Sequence, residues 1–270
     1  MKDKVIVITG ASSGIGKGLA KEFSSRGCRL ALAARRIDLL EELKNELGQS
    51  GILICKTDVS VENDCKKLID ETLSHFGQID VLINNAGISM RALFEDVDLN
   101  VLRKLMDVNF WGTVYCTKYA LPHLLKTKGS VVGVISVAGY VGLPGRTGYA
   151  ASKFAIRGFL NTLRSENLKK GLNVLVVAPG FTASEVRKRA LIADGSQQGE
   201  TPREENKMMT AEKCARHIAK AVIKRKRQLV LTFWEGKVSI FLLKFFPSLL
   251  DRLTYYIMAK EPDSPLNKKS

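Results

Sequence analysis

Val5-Ile6-Val7-Ile8-Thr9-Gly10-Ala11-Ser12-Ser13-Gly14-Ile15-Gly16 follows directly on Met1-Lys2-Asp3-Lys4. Four β-branched residues in a row, with no polar position between them, suit a strand covered on both faces, as in a parallel sheet. The glycines come immediately afterwards and lead into a helix. A strand, a glycine-rich turn and a helix in that order make a phosphate cradle. The small residues let the backbone approach a pyrophosphate, and the unpaired N–H groups of the helix N-terminus receive it. The same reading makes this stretch a first strand and not a secretory leader, because no small-residue cleavage site follows the apolar run.

Outward from this unit, short β-branched runs alternate with longer stretches of helical period. Strands are predicted over 5–9, 29–33, 52–56, 81–83, 131–136, 173–177 and 229–232. That alternation predicts an α/β fold: a single-domain, doubly wound Rossmann-type sheet of seven parallel strands with helices on both faces. The helix expected over 60–76 has Ser60 as its N-cap and an apolar stripe of Leu68, Ile69, Leu73 and Phe76. Two regions break the rhythm. Residues 184–209 are polar and contain Gly195 and Gly199, which reads as a flexible loop over a site, with a lid around 186–192. Residues 233–270 form an amphipathic C-terminal helical extension to a nucleotide-binding domain of residues 1–232. There, Trp234, Val238, Phe241, Leu242 and Phe245 recur at helical spacing, and after Pro247 so do Leu249, Leu250, Leu253, Tyr256 and Ile257.

The chain has 270 residues, of which 45% are hydrophobic, enough for one substantial core. Its five cysteines form no Cys-x-x-Cys pair and no cluster with His75, His123 or His217, so neither a metal site nor a disulfide framework is expected. Reduced cysteines and no apolar run of spanning length predict a cytoplasmic setting. The formal charge of +15 asks for an anionic partner. Nucleic acid is disfavoured, since the basic residues are spread along the chain instead of interleaved with aromatics. A phosphate-bearing cofactor and an anionic membrane surface fit better, the latter because Lys237, Lys244, Arg252 and Lys260 flank the apolar stripes of the extension. The alternative for the extension is a helix pair that closes the pocket or packs on a partner subunit.

The chemistry sits at the carboxyl ends of the later strands. Asn84-Asn85-Ala86-Gly87 follows the fourth strand, Ser136 ends the fifth, and Tyr149-Ala150-Ala151-Ser152-Lys153 opens the next helix. Residues four apart share a helix face, so Tyr149 and Lys153 present their heads to one place. A phenol is a poor base at neutral pH, and an ammonium nearby lowers its pKa toward the working range. Tyr149 is then general acid for ketone reduction and general base for alcohol oxidation, with the Ser136 hydroxyl placed to bond the reacting oxygen.

The cofactor is read from the end of the second strand, Leu32-Ala33-Ala34-Arg35-Arg36. Where a carboxylate would bind the ribose diol of NAD stands Ala34, and Arg35 and Arg36 instead match a 2′-phosphate, with Ser12 and Ser13 as further donors. NADP(H) is expected.

The Gly-x-x-x-Gly-x-Gly spacing of Gly10, Gly14 and Gly16, together with the later motifs and Pro179-Gly180, resembles the short-chain dehydrogenase/reductase family over residues 4–232, in particular members akin to 11-beta-hydroxysteroid dehydrogenase and 3-ketosphinganine reductase. The resemblance implies that Asn109 holds a water linking Lys153 to solvent and that Lys153 grips the nicotinamide ribose. It implies an adenine contact at Asp58-Val59 and a nicotinamide half lined by Asn85, Ala86 and Gly87. Ile15 belongs to the same glycine-rich turn. Many relatives carry Thr four residues beyond the Gly of Pro-Gly, where this chain has Ser184, so the carboxamide contact falls to Thr182 or Ser184. A homodimer or homotetramer is also implied. The expected reaction is hydride exchange between NADP(H) and a lipophilic ketone or secondary alcohol, sterol-like, retinoid-like or a long-chain keto-lipid. The expectation of an apolar wall rests on Ala138-Gly139-Tyr140-Val141-Gly142-Leu143-Pro144 and the lid. The alternatives are a 3-oxoacyl-thioester reductase and a non-catalytic NADP-binding regulatory protein.

Overall fold

A computed structural model describes residues 1–48, 50–183, 185–201 and 208–267. Seven strands make one sheet: β1 (Val5–Thr9), β2 (Arg29–Ala34), β3 (Ile52–Lys56), β4 (Val81–Asn84), β5 (Ser130–Val134), β6 (Asn173–Ala178) and β7 (Gln228–Val230). Their order is β3-β2-β1-β4-β5-β6-β7 and every pairing is parallel. The chain therefore winds outward from β1 to β3, returns to β4 on the other side of β1, and continues outward to β7. The carboxyl ends of β1 and β4 diverge at that reversal, and open α/β sheets bind ligands in such crevices.

Alternation within the buried strands builds two cores. Ile6, Ile8, Leu30 and Leu32 face α1 (Gly14–Ser24), α2 (Ile37–Glu46) and α7 (Ala211–Ile223), where they meet Leu19, Phe23, Leu40, Leu43 and Ile218. Val7, Ala31, Leu82 and Val131 face α3 (Glu62–Phe76), α5 (Gly112–Lys126) and α6 (Thr147–Glu166), where they meet Leu68, Ile69, Leu124, Ile156 and Leu160. Each fully buried leucine among them contributes about 1.5–3 kcal/mol. Gly133 of β5 lets α6 come close, since a Cβ there would lie 2.2 Å from Leu160 Cδ1. All five cysteines are free and buried. Desolvation raises Cys28 to about 11 and Cys55 and Cys214 to about 12, so they behave as small apolar groups.

Most boundaries move by one residue, and three of the differences from the sequence expectation bear on the site. Ser60 does not cap α3, which starts at Glu62. Its N–H and hydroxyl both donate to the Asp58 carboxylate, at 3.0 and 2.6 Å, in a local turn that competes with capping. β5 ends at Val134, and Ser136 instead caps a short 3₁₀ turn over Val137–Gly139, its Oγ accepting from Ala138 N at 3.2 Å. β7 stops at Val230, and Thr232 takes a left-handed φ of 70°, which turns the chain out of the sheet and back over the pocket.

That returning segment comprises a π-helical turn, Phe233–Val238, followed by α8 (Ser239–Phe245) and α9 (Pro247–Ala259). Leu250 and Met258 are buried, and Ile240 and Leu242 pack on the second core. Beyond α9, Glu261 lies 3.7 Å from Arg91, with both side chains almost buried. Arg91 Nη2 also donates to Pro262 O at 2.5 Å. The extension is thus fastened to the loop after β4. No helix among the described residues is long and apolar enough to cross a membrane.

Candidate active site

Thr9 and Asn85 stitch the reversal point together. The Thr9 hydroxyl accepts from Asn85 N and Ala86 N at 3.0 and 3.1 Å, and Asn85 Nδ2 donates to Thr9 O at 3.0 Å. Gly10 has φ of +66°, and a Cβ on it would meet Ala86 Cα at 2.8 Å, so only glycine lets the turn pass this close to β4. Gly16 is tucked against the same turn, where a Cβ would approach Gly10 O to 2.1 Å. The helix that follows has no side-chain cap and no acidic residue in its first turn. Its N-terminal N–H groups are left for an anion, which is the fit a dinucleotide pyrophosphate needs.

A continuous cavity of about 800 Å³ extends from this turn across the crevice. Its walls include Gly10, Ser12, Ser13, Gly14 and Ile15, then Arg35, Arg36, Asp58 and Val59, then Asn85, Ala86 and Gly87, and finally Ser136, Tyr149, Lys153, Pro179, Gly180 and Thr182. Residues from seven separate stretches of chain, singled out in the sequence, thus converge on one space. Gly16 and Asn109 support that space without lining it, and Ser184 lies outside the described residues. At the far end of β2, Arg36 Nη2 donates to Ser12 Oγ and Ser13 Oγ, both at 3.2 Å, and Nη1 lies 3.5 Å from the Glu185 carboxylate. Arg35 is exposed on the same rim. Asp58 holds its turn by accepting from Ser60, while its own N–H donates to Asp64 Oδ2 at 2.9 Å.

Asn109 lies in a π-helical turn, Met106–Trp111, between α4 (Leu99–Leu105) and α5. Such one-turn widenings displace a side chain from the regular helical face. The fully buried carboxamide accepts from Ile88 N at 2.8 Å and donates to Ile88 O at 3.0 Å and Ser152 Oγ at 2.9 Å. Ser152 Oγ in turn donates to Tyr149 O at 2.8 Å. A chain of hydrogen bonds therefore runs from the loop after β4 to the backbone of the tyrosine.

Lys153 is buried, and its Nζ donates to Val134 O at 3.1 Å while lying 5.7 Å from the Tyr149 ring centroid. Burial lowers its pKa from 10.5 to about 8. Burial also raises the Tyr149 phenol, against which a hydrogen bond with Ser136 and the charges of Arg146 and Arg187 act downward. The sequence argument assigned the tuning cation to Lys153. In the structure Lys153 Nζ donates to the Val134 carbonyl on the same side of α6 as the Tyr149 ring, and the charges of Arg146 and Arg187 also act downward on the phenol.

The cavity is also less apolar than the sequence suggested. Val137, Val141, Leu143, Val186 and Leu191 contribute apolar wall, but Ser89, Lys104, Arg146, Arg189 and Glu235 line it too. Glu235 comes from the returning extension, and its Oε2 accepts from Phe181 N at 3.2 Å beside Gly180. Arg146 was within reach of sequence reasoning, standing three residues before Tyr149. Glu235 was not, since nothing local shows that the extension folds back.

A doubly wound parallel sheet whose switch-point crevice holds a tyrosine, a lysine and a serine together belongs to the dinucleotide-type oxidoreductases. Residues 4–194 match the short chain dehydrogenase family. The chain is 38% identical to 11-beta-hydroxysteroid dehydrogenase A of Arachis hypogaea, across 98% of this chain and 80% of that one. A short-chain dehydrogenase from Streptomyces avermitilis superposes with a TM-score of 0.80 at 26% identity, covering 96% of this chain and 98% of the other. An alcohol dehydrogenase from the archaeon Thermococcus sibiricus, solved with 5-hydroxy-NADP, gives 0.76 at 26% identity over 85% and 96% of the two chains. The chain is a member of the short-chain dehydrogenase family, an oxidoreductase acting on CH–OH groups.

The buried lysine carries a stability cost that can be measured. Below pH 8 the folded chain must hold a buried ammonium, and between about 8 and 10.5 the unfolded chain binds the extra proton, so this cost fades as pH rises. Lys153→Met is expected to raise stability at pH 7 by on the order of 1–3 kcal/mol, seen as a higher melting temperature. The gain over wild type should shrink across pH 8–10.5. Calorimetric scans at several pH values check it, and an unchanged or lower melting temperature at pH 7 contradicts the burial argument.

Proposed function

We propose that this enzyme exchanges hydride between NADP(H) and a lipophilic ketone or secondary alcohol, with Tyr149 as general acid and base. The observation that carries the reading is the cluster of Tyr149, Ser136 and Lys153 on the same cavity wall as the glycine-rich turn and the Arg36–Ser12–Ser13 cradle. Bound reduced nicotinamide supplies the hydride. In reduction Ser136 and Tyr149 bond the substrate carbonyl oxygen, and Tyr149 Oη delivers a proton to it as negative charge develops. Lys153 contributes a cation at the ribose side of the cavity. Asn109 keeps the tyrosine's backbone in place, and the resemblance adds a relay water in its neighbourhood.

For the cofactor, a guanidinium already held between two serine hydroxyls suits a 2′-phosphate. Alcohol dehydrogenase from Thermococcus sibiricus, solved with 5-hydroxy-NADP, supports the same class of dinucleotide. For the substrate, Val137, Val141, Leu143 and Met258 supply an apolar lining. Arachis hypogaea 11-beta-hydroxysteroid dehydrogenase A, by its name, acts on hydroxysteroids, which supports a lipophilic carbonyl here.

The extension adds a peripheral membrane contact to this reading. One face closes the cavity through Glu235, Ser239, Thr254 and Met258, while the other leaves Phe233, Trp234, Phe241, Phe245, Phe246 and Tyr256 each more than half exposed. Isolated apolar residues on a surface are ordinary, but this many exposed aromatics on one short segment that also carries Lys237, Lys244, Arg252 and Lys260 suit an anionic bilayer interface.

Three measurements test the proposal. With purified protein and a panel of carbonyl compounds, Tyr149→Phe should lower NADPH-dependent turnover about 100-fold or more. Its dissociation constant for NADPH should stay within a factor of about two, because the phenol's proton is needed only as the alkoxide forms; a folded variant with near wild-type turnover rejects the role. Ala34→Asp with Arg36→Ser should lower the ratio of kcat/KM for NADPH over NADH about tenfold or more, as loss of a charge-assisted contact implies. A wild type that already prefers NADH overturns the cofactor assignment. Full-length protein should sediment with vesicles containing phosphatidylserine at low salt, while Phe245→Glu with Phe246→Glu stays in solution. Equal recovery of both in the supernatant leaves the extension with its pocket-closing role alone.

A further inference from the structure

Strand order decides which wall each half of a dinucleotide meets. The glycine-rich turn leaves β1, and Arg36 with Ser12 and Ser13 stands on its β2 side, while the sheet continues the other way through β4, β5 and β6. With the pyrophosphate on the turn and a 2′-phosphate at Arg36, the nicotinamide half runs toward β6. It passes Asn85 to Gly87 after β4 and Ser136 after β5, and its far end meets Pro179 to Thr182 after β6. Hydride leaves from C4 of the ring, and the carboxamide sits on the neighbouring carbon. Its N–H groups need an acceptor on that wall, since an unpaired donor taken out of water is costly.

Three acids line the whole cavity, Asp58, Glu185 and Glu235. Asp58 accepts from Ser60 beside the β3 end, and Glu185 lies 2.9 Å from Arg189 and 3.5 Å from Arg36. Glu235 is the one at the β6 end. It comes from the π-helical turn of the extension, which the left-handed Thr232 sends back over the sheet. A Cβ on Gly180 would stand 2.7 Å from Glu235 Oε2 and 2.5 Å from Thr232 Oγ1, so the glycine admits the carboxylate to the strand end. Oε2 accepts from Phe181 N at 3.2 Å, which fixes the group there. A carboxylate has about four lone-pair sites, and one backbone N–H leaves it able to accept more. The neighbouring Thr182 hydroxyl already donates to Gly180 O at 3.3 Å.

We infer that Glu235 is a cofactor-binding residue: its carboxylate accepts a hydrogen bond from the carboxamide N–H of the nicotinamide, so the C-terminal extension supplies part of the cofactor site. The inference rests on the reading of this cavity as an NADP(H) site. The same negative charge favours the positively charged oxidised ring over the neutral reduced one. Docking of the extension and binding of the ring are thereby linked, because the residue that closes the extension onto Phe181 also holds the carboxamide.

The test compares binding of NADP+ to full-length protein, by titration calorimetry, with binding of its 3-acetylpyridine analogue, in which a methyl group replaces the carboxamide NH2. Wild type is expected to bind the analogue about tenfold more weakly, as loss of a hydrogen bond to a charged acceptor implies. Glu235→Gln keeps an oxygen for Phe181 N and removes the charge. In this variant the two dinucleotides should bind within about twofold of each other. Its affinity for NADP+ relative to NADPH should also fall about threefold. A purely structural tether would weaken every dinucleotide alike and leave both ratios where they were. A folded Glu235→Gln variant that keeps the full wild-type difference between NADP+ and the analogue overturns the inference. If the variant does not fold, wild type decides: a tenfold weaker analogue supports the carboxamide contact, and equal binding overturns it. Failure of the underlying reading looks different, since wild type would then take up neither NADP+ nor NADPH.

Discussion

The Asn109 carboxamide is the interaction on which the rest of the site depends. Fully buried, it must have partners, and it finds them on two other stretches of chain: both backbone groups of Ile88 after β4, and Ser152 on α6. Ile88 is part of the wall beside Gly87, and Ser152 carries the connection to the Tyr149 carbonyl. The π-helical turn that presents Asn109 breaks the ordinary helical hydrogen-bond pattern. Its cost is offset because one amide joins a strand end to the helix bearing the acid and base. A shorter or charged side chain at this position would leave Ile88 N or Ser152 without its partner, and a buried orphan costs about 1–3 kcal/mol.

Around that joint the protein gathers cations on the walls of one cavity. Lys153 and Arg146 are both buried, and Arg187 and Lys104 reach the same cavity. Burial works against the Lys153 ammonium, and against the tyrosine's phenolate as well. These opposing effects define what the site can do: the desolvation that makes an ammonium reluctant also makes a neighbouring guanidinium effective, because neither is screened. The fold tolerates the strain because two continuous hydrophobic cores lie behind the sheet, with Leu160 packed on Gly133 to bring α6 close to β5.

The returning extension joins the same economy of contacts from the opposite side. Glu235 reaches Phe181 N, Arg91 meets Glu261 near the chain's end, and Met258 closes the cavity wall. With these contacts on one face, its aromatic residues are directed outward on the other. Amphipathic periodicity alone does not distinguish the two faces, since apolar residues occupy both.

What the amino-acid order determined is what depends on near neighbours. The β-branched run before Gly10 made a central parallel strand, seven such runs made the sheet, and Tyr149 and Lys153 share a face because they are four residues apart. Motif spacing likewise named many of the residues that line the cavity, since most of them follow strand ends and the switch point of a doubly wound sheet collects strand ends. Tertiary structure decided the rest, wherever an interaction spans a long stretch of chain. Lys153 shares a helix face with Tyr149 and its Nζ is directed at the carbonyl of Val134, and Arg146 lines the same cavity because Ser89 and Met90, more than fifty residues earlier, hold it there. Electrostatic influence falls off with distance in space and not in sequence, so which charge acts on the phenol is settled only when the chain has folded.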